Sequence, residues 1–541
     1  MKNIKLIIYS LITLILILNN AAVAKTWYLS PADIKHSNTN TRNLDWHKTP
    51  RVPTRGWKRK EKDKTIYLQT WQMEHENDVF YIANTAIDRL RDKDKYDYLR
   101  INGTFDVGMK SLVVEPTKMG FIFKFSRNNI TIKKNLDLSD VRYAEMYGKT
   151  ISVGNNLIAA EDMHVFVKDN MVVKNLSSEW GTTFNFKSEN AGTLEAPTLK
   201  IIEPLKNHVH IRITPFLTKN MYVSIGGFDS FSKFDIKQLY YTNSHSTKLP
   251  LKNTVYLSLN VIEDNYCETP IGENLDNWNP STKLAIIKEG KYSQYIYTDY
   301  SRFSGGVKML DGTLKFNFNQ DRKKYIRKVG NSEDYYEYRG YPRQWPDTTS
   351  SHGDLEMIGG IFGSIDREGA YGAFRFTNII YTDGTVNLRL AGPNKTDSID
   401  LTSYYGRYNK FLKENIYRVD AELFKGGKIS FTKNAKRFYF QFDKDLSWLI
   451  SDVSADLKIN DGKGAKVVSW DNGNDAGLSK DSFAANLFRS KDNKMYKPDF
   501  TVGSDGLYVK YVPVPEISQI TAIIGTLALA FAAIRKRKGK N

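Results

Sequence analysis

Eight histidines, one cysteine and a large stock of carboxylates are the side chains here that could do acid–base, nucleophilic or metal chemistry. Only His208-Val209-His210 has ligand-like spacing, since residues i and i+2 share one face of a strand. The same face continues to Arg212, a poor neighbour for a bound cation, while Val209, Ile211 and Ile213 take the other. The stretch therefore reads as an ordinary outward face, and no metal or cofactor is assigned. His352 precedes Gly353-Asp354, which suits an acid/base pair and suits a turn equally well. Cys267 is the only cysteine, so no intrachain disulfide is possible, and a lone thiol reads as a small buried apolar residue. Gly-x-Ser-x-Gly, His-Glu-x-x-His and phosphate-binding glycine loops are absent, and no catalytic residue is assigned. A paired-carboxylate site for cutting polysaccharide stays open. Carboxylates gathered beside Lys or Arg in one groove would favour such an enzyme; carboxylates scattered over turns would favour adhesion. Tyr335, Tyr336, Tyr338 and Tyr341, with Arg339, Arg343 and Trp345, could instead stack on sugar faces, or cap a β core.

The elements that must position these groups are strands. Apolar residues alternate or run together at 121–125, 151–153, 165–167, 209–213, 255–259, 314–318, 374–376, 438–442 and 507–509. Period-two alternation sends one set into a core and leaves Lys, Arg, Asn and His outside. Turn residues separate the runs: Gly154-Asn155-Asn156, Asp311-Gly312, Asp383-Gly384 and Ser504-Asp505-Gly506. The one helical pattern in the body lies at 78–92. Many short strands with Gly/Asn/Asp corners predict an all-β protein with an elongated parallel β-helix or solenoid-like body, stacked β-sandwiches being the alternative. Asparagines at the corners, as in Asn128-Asn129 and Asn155-Asn156, favour the former, although no fixed repeat period is visible. The expected organisation is a signal peptide over 1–24 and a polar basic segment over 25–64. A solenoid-like block over 65–227, a less regular insert over 228–306 and a second β block over 307–511 follow. A sorting tail over 512–541 closes the chain.

Both ends carry membrane signals. Lys2 and Lys5 precede an apolar run over 6–18, and Ala22-Val23-Ala24 supplies the small-x-small site of a signal peptidase, with Ala22 and Ala24 as the small residues. The mature chain is expected to start at Lys25. Near the other end, Val512-Pro513-Val514-Pro515-Glu516 leads into an 18-residue apolar run over 517–534 and then Arg535-Lys536-Arg537-Lys538. At about 1.5 Å per residue that run spans roughly 27 Å, enough for one transmembrane helix. The four cations would stay cytoplasmic and the body outside. Pro513 and Pro515 stop the helix from extending outward. This arrangement resembles the PEP-CTERM sorting signal of diderm bacteria, whose partner is the membrane enzyme exosortase. Pro515 and Glu516 match the first two letters of its Pro-Glu-Pro core, and Ile517 stands where the last proline would be. The resemblance implies that an exosortase-like enzyme reads Pro515 and Glu516 as substrate residues. The second β block is similar to autotransporter passenger bodies in its strand-turn-strand phrases, among them Gly359-Gly360-Ile361-Phe362-Gly363, Tyr371-Gly372-Ala373-Phe374, Asp383-Gly384-Thr385 and Asp505-Gly506-Leu507.

Composition bounds the rest. A hydrophobic content of 41% with 13% aromatics is ample for a core. The net charge is +18; seven cations and one anion belong to the two ends, leaving the body near +12. Such a surface would attract anionic polysaccharide, whereas no nucleic-acid motif accompanies the charge and no specific nucleic-acid partner is expected. The expectation is an exported, non-enzymatic protein, held briefly in the inner membrane by its tail and then released to the cell surface or matrix. There it would adhere to polysaccharide or surface partners. A polysaccharide lyase or glycosidase on a β-helix scaffold is the alternative.

Overall fold

The computed structural model describes residues 26–30, 45–47, 63–67, 74–82, 98–114, 120–179, 181–188, 198–214, 220–236, 253–269, 271–273, 282–296, 303–316, 325–328, 335–338, 353–364, 376–389, 428–443, 446–456, 459–469 and 477–515. Ala22, Ala24, Glu516, the 517–534 segment and Arg535, Lys536, Arg537 and Lys538 lie outside the described residues, as do Arg339, Tyr341, Arg343, Trp345 and His352. Among the described residues no helix is long and apolar enough to cross a membrane. The protein is mostly β, and its chain divides into two compact units, 1–315 and 316–541.

The first unit is built largely from parallel ladders, in which the alternating apolar residues of neighbouring strands stack on one another; Thr26–Ser30 and Asp45–His47 pair antiparallel. One ladder passes from Asp63–Tyr67 through Tyr98–Asn102 and the first part of Gly120–Ile132 to Tyr143–Ile158 and Asp162–Ser177. It continues through Thr182–Ser188, Val209–Ile213, Lys233–Ile236 and Ile271–Glu273. A second ladder takes the later parts of Gly120–Ile132, Tyr143–Ile158 and Asp162–Ser177. It then runs through Thr198–Ile201, Met221–Ile225, Asn253–Asn260, Thr282–Glu289 and Gly306–Met309. A third pairs residues near Phe80, Leu112, Leu136, Leu157 and Leu176. The long strands therefore serve more than one ladder, with register shifts at the bends between Phe125 and Asn129 and between Val167 and Asn170.

Each ladder stacks like on like. Phe123, Met146, Val165, Phe186, Ile213 and Ile236 form one buried column, and Ile130, Ile151, Met171, Leu199, Val223, Leu257 and Ile286 another. β-Branched and aromatic side chains suit such half-buried pleated surfaces. The corners are polar and stacked in turn. Asn155 Nδ2 donates to Asn135 Oδ1 (3.0 Å) and Asn175 Nδ2 to Asn156 Oδ1 (3.1 Å), while Asn129 bonds Asp106 and receives Thr150. Gly226 marks a close approach, since a Cβ there would stand 2.2 Å from the Ile202 carbonyl oxygen. Residues 228–306, read in sequence as a less regular insert, supply Lys233–Ile236, Asn253–Asn260 and Thr282–Glu289 to the same ladders.

The helical expectation over 78–92 is corrected where the chain is described. Glu74–Ile82 is a strand, with Phe80 and Ile82 buried and its last residues paired to Ser111–Val114. Alternate burial is satisfied there by a strand period, and the helix-like spacing that prompted the expectation lies further along.

The second unit contains parallel ladders of Leu355–Met357, Asn378–Tyr381 and Lys428–Phe431, and of Ile361–Ser364, Thr385–Arg389, Phe438–Asp443 and Phe483–Ala485. Phe438, Phe440 and Phe483 pack as a cluster of rings. Four strands in an antiparallel arrangement follow: Ala465–Ser469 pairs with Gly506–Pro513, which pairs with Met495–Gly503 through the tight turn at Ser504-Asp505, and Phe488–Arg489 pairs with Met495–Gly503 in turn.

Candidate functional site

The outward side chains of the first ladder meet in a shallow groove of about 680 Å³ lined by Glu161, Asp162, His164, Thr183, Asn185, His208, His210 and Arg212. Three consecutive rungs line it, and a fourth stands beside them. Strand alternation presents Tyr143, Glu145 and Tyr147 from one rung and Asp162, His164 and Phe166 from the next. Thr183, Asn185 and Lys187 come from the third, and His210 and Arg212 from the fourth. Parallel register places Glu145, His164, Asn185, Arg212 and Asp235 in a single file. Rungs about 4.8 Å apart bring these polar groups within reach of one another.

Two charged clusters result. At one, His164 Nε2 lies 3.1 Å from Asp162 Oδ1, and Lys187 Nζ is 2.7 Å from His164 Nδ1. Asn185, nearly buried in the groove floor, donates to the same Asp162 oxygen at 3.0 Å. The hydrogen bond from His164 holds the Asp162 carboxyl below its ordinary range, with the Lys187 and Arg212 charges adding to it against the cost of partial burial. At the other, Arg212 grips Asp235 with two nitrogens, Nε to Oδ1 at 3.0 Å and Nη2 to Oδ2 at 3.2 Å. His210 Nε2 is 3.0 Å from Oδ2; this nitrogen is buried, and the approach is close without being well aligned as a hydrogen bond. Burial alone would raise the Asp235 carboxyl, but its contacts with His210 and Arg212 outweigh that and lower it.

Aromatic rings flank the first cluster. Tyr147 and Phe166 stack with centroids 4.4 Å apart and planes 2° from parallel, and Lys124 and Lys187 sit over these rings. The hydroxyls of Tyr143 and Tyr147 both donate to the Glu145 carboxylate, the latter at 2.7 Å. The combination of ring faces with fixed donors and acceptors is the kind that grips a sugar: rings take the apolar face and amides, carboxylates and cations take the hydroxyls.

Of the sequence candidates, His210 and Arg212 do share the outward face of Val209–Ile213. His208 does not: it precedes the strand with φ of 60°, and its ring stacks on Phe231 at 4.5 Å. Among the described residues no group of three or more His, Cys, Asp or Glu is placed to hold a metal ion. Cys267 is fully buried, with Sγ 3.4 Å from the Ser232 carbonyl, and burial pushes its thiol up to about 11, away from a reactive thiolate. Pro515 is exposed just beyond the last strand. Sequence reasoning missed Glu145, Asp162, His164, Asn185 and Lys187. The available signal was a run of polar residues at alternate positions in successive strands, hidden by unequal offsets of 19, 21, 27 and 23 residues between rungs. No protein-family model matches the chain, and no curated protein or solved structure matches it.

Proposed function

We propose that this is an exported parallel β-helix protein whose first-ladder groove binds anionic polysaccharide at the cell surface or in extracellular matrix. A signal peptidase removes residues 1–24 after Ala24, and the 517–534 segment holds the chain in the inner membrane with Arg535, Lys536, Arg537 and Lys538 on the cytoplasmic side. An exosortase-like enzyme then acts at Pro515 and Glu516. The single observation that supports the binding reading is the outward face of the first ladder: a groove holding His164, His210 and Arg212, with the Tyr147–Phe166 ring stack and Lys187 beside it. A linear sugar polymer lying along the ladder would meet such groups at regular intervals, and the body charge near +12 would draw an acidic one in.

The test is retention of the mature protein on immobilised polygalacturonate and on dextran, with Lys187→Ala and Tyr147→Ala variants alongside. Retention on the acidic polymer, weakened about tenfold or more by either substitution, is the expected result. Equal retention of wild type and both variants would place any binding elsewhere on the surface and defeat the groove reading.

A further inference from the structure

We infer that the groove also cuts its polymer, breaking a uronate-containing chain by β-elimination with His164 as the base. This rests on the carbohydrate reading above and adds a reaction to it. In a uronate the acidic hydrogen sits on C5, the carbon that also bears the carboxylate. The base and the cation that neutralises the carboxylate must therefore be neighbours. Lys187 Nζ and His164 Nδ1, 2.7 Å apart on adjacent rungs, stand in that relation. Asp162, 3.1 Å from Nε2, favours the tautomer with its proton on Nε2 and so leaves Nδ1 as the basic nitrogen. Lys187 donates to Nδ1 in the structure; a sugar carboxylate would compete for that ammonium and uncover Nδ1 as it is itself neutralised. Tyr143 supplies the acid. Its ring centroid is 5.2 Å from that of His164, and its hydroxyl is held by Glu145.

The step balances without a co-reactant. His164 Nδ1 takes the C5 proton, that electron pair forms the C4=C5 double bond, and the C4–O4 bond breaks. O4 accepts the Tyr143 proton, and the imidazolium then returns a proton to the tyrosinate. The other titratable groups around His164 are Glu145, Asp162 and Lys187, with Glu161, His208, His210 and Arg212, the last two paired to Asp235, along the groove. No co-oxidant, water or metal enters the balance.

The experiment incubates the mature protein with polygalacturonate and with alginate, following the ultraviolet absorbance of the conjugated double bond, new reducing ends and polymer retention together. The expected result is unsaturated product. Its rate should fall about 100-fold or more in His164→Ala and Tyr143→Phe, the scale of lost general acid–base catalysis. Retention of Tyr143→Phe and the unfolding midpoint of both variants should stay close to wild type, and Tyr222→Ala on the second ladder should leave the rate unchanged. Retention without product on either polymer overturns the catalytic inference and leaves the binding reading standing. New reducing ends without the double bond overturn elimination, because they report hydrolysis. No retention on either polymer overturns both readings.

Discussion

Asp235 is the residue on which the far half of the groove turns, since it contacts both Arg212 and His210. Replacing it with Asn leaves the Arg212 guanidinium without its counter-charge and sets a neutral amide beside the buried His210 nitrogen. Because Arg212 is about one-third exposed, solvent screens part of that loss. Asp235→Asn is expected to cost about 1–3 kcal/mol, read from urea unfolding at neutral pH. The pH dependence has a definite sign. The Asp235 and Asp162 carboxyls are lowered in the folded chain relative to about 3.9 when unfolded, so the native state holds fewer protons. Their stabilisation is present above the unfolded value and is lost as pH falls through the folded one. An acid titration of stability should be shallower in Asp235→Asn than in wild type, and parallel curves would contradict this assignment.

At the scale of the element, the second ladder carries an anomaly that tests how the strands stack. Its inward column runs Ile201, Ile225, Leu259, Lys288 and Met309, so a lysine occupies an apolar core position. Its ammonium is satisfied by the carbonyls of Glu289 (2.9 Å), Gly290 (2.7 Å) and Asp311 (3.4 Å) at the adjacent turns. Burial lowers its pKa to about 8, against about 10.4 for an unfolded lysine. Between those values the unfolded chain binds the proton and the native chain does not, so this group makes stability rise with pH across that window and adds no pH dependence on either side of it. Lys288→Met should remove the rise, as followed by urea midpoints across the window. A wild-type slope indistinguishable from that of the variant would mean that the ammonium is not buried.

For the whole molecule the outstanding prediction concerns the two ends, of which only Val512 and Pro513 belong to a described strand. Intact mass of the native mature protein is expected to begin near Lys25 and to lack the tail. Substituting Pro515 and Glu516 by alanine should leave full-length protein in the membrane fraction. A tail retained equally in both would sink the sorting proposal and leave a simple anchor. Charge also acts at this scale. Attraction between a body near +12 and an acidic polymer is screened over about 10 Å at 0.1 M salt, so retention should weaken as salt rises.

Much of the architecture was legible in the residues alone. Period-two alternation at 121–125, 165–167 and 209–213 identified strands that the structure contains, and Asn129, Asn155 and Asn156 stood at polar corners as expected. Such patterns are local, because a strand must bury alternate side chains whatever it pairs with. His208-Val209-His210 was legible only in part, since a left-handed residue before the strand reorients the first histidine. The groove was not legible. Glu145, His164, Asn185, Arg212 and Asp235 are far apart along the chain and become one file only through parallel register. Loops of unequal length hide that register in the sequence, whereas hydrogen bonding between neighbouring rungs restores it. The amino-acid order by itself determined which faces of the strands are apolar and which are polar; tertiary pairing decided which polar residues would meet.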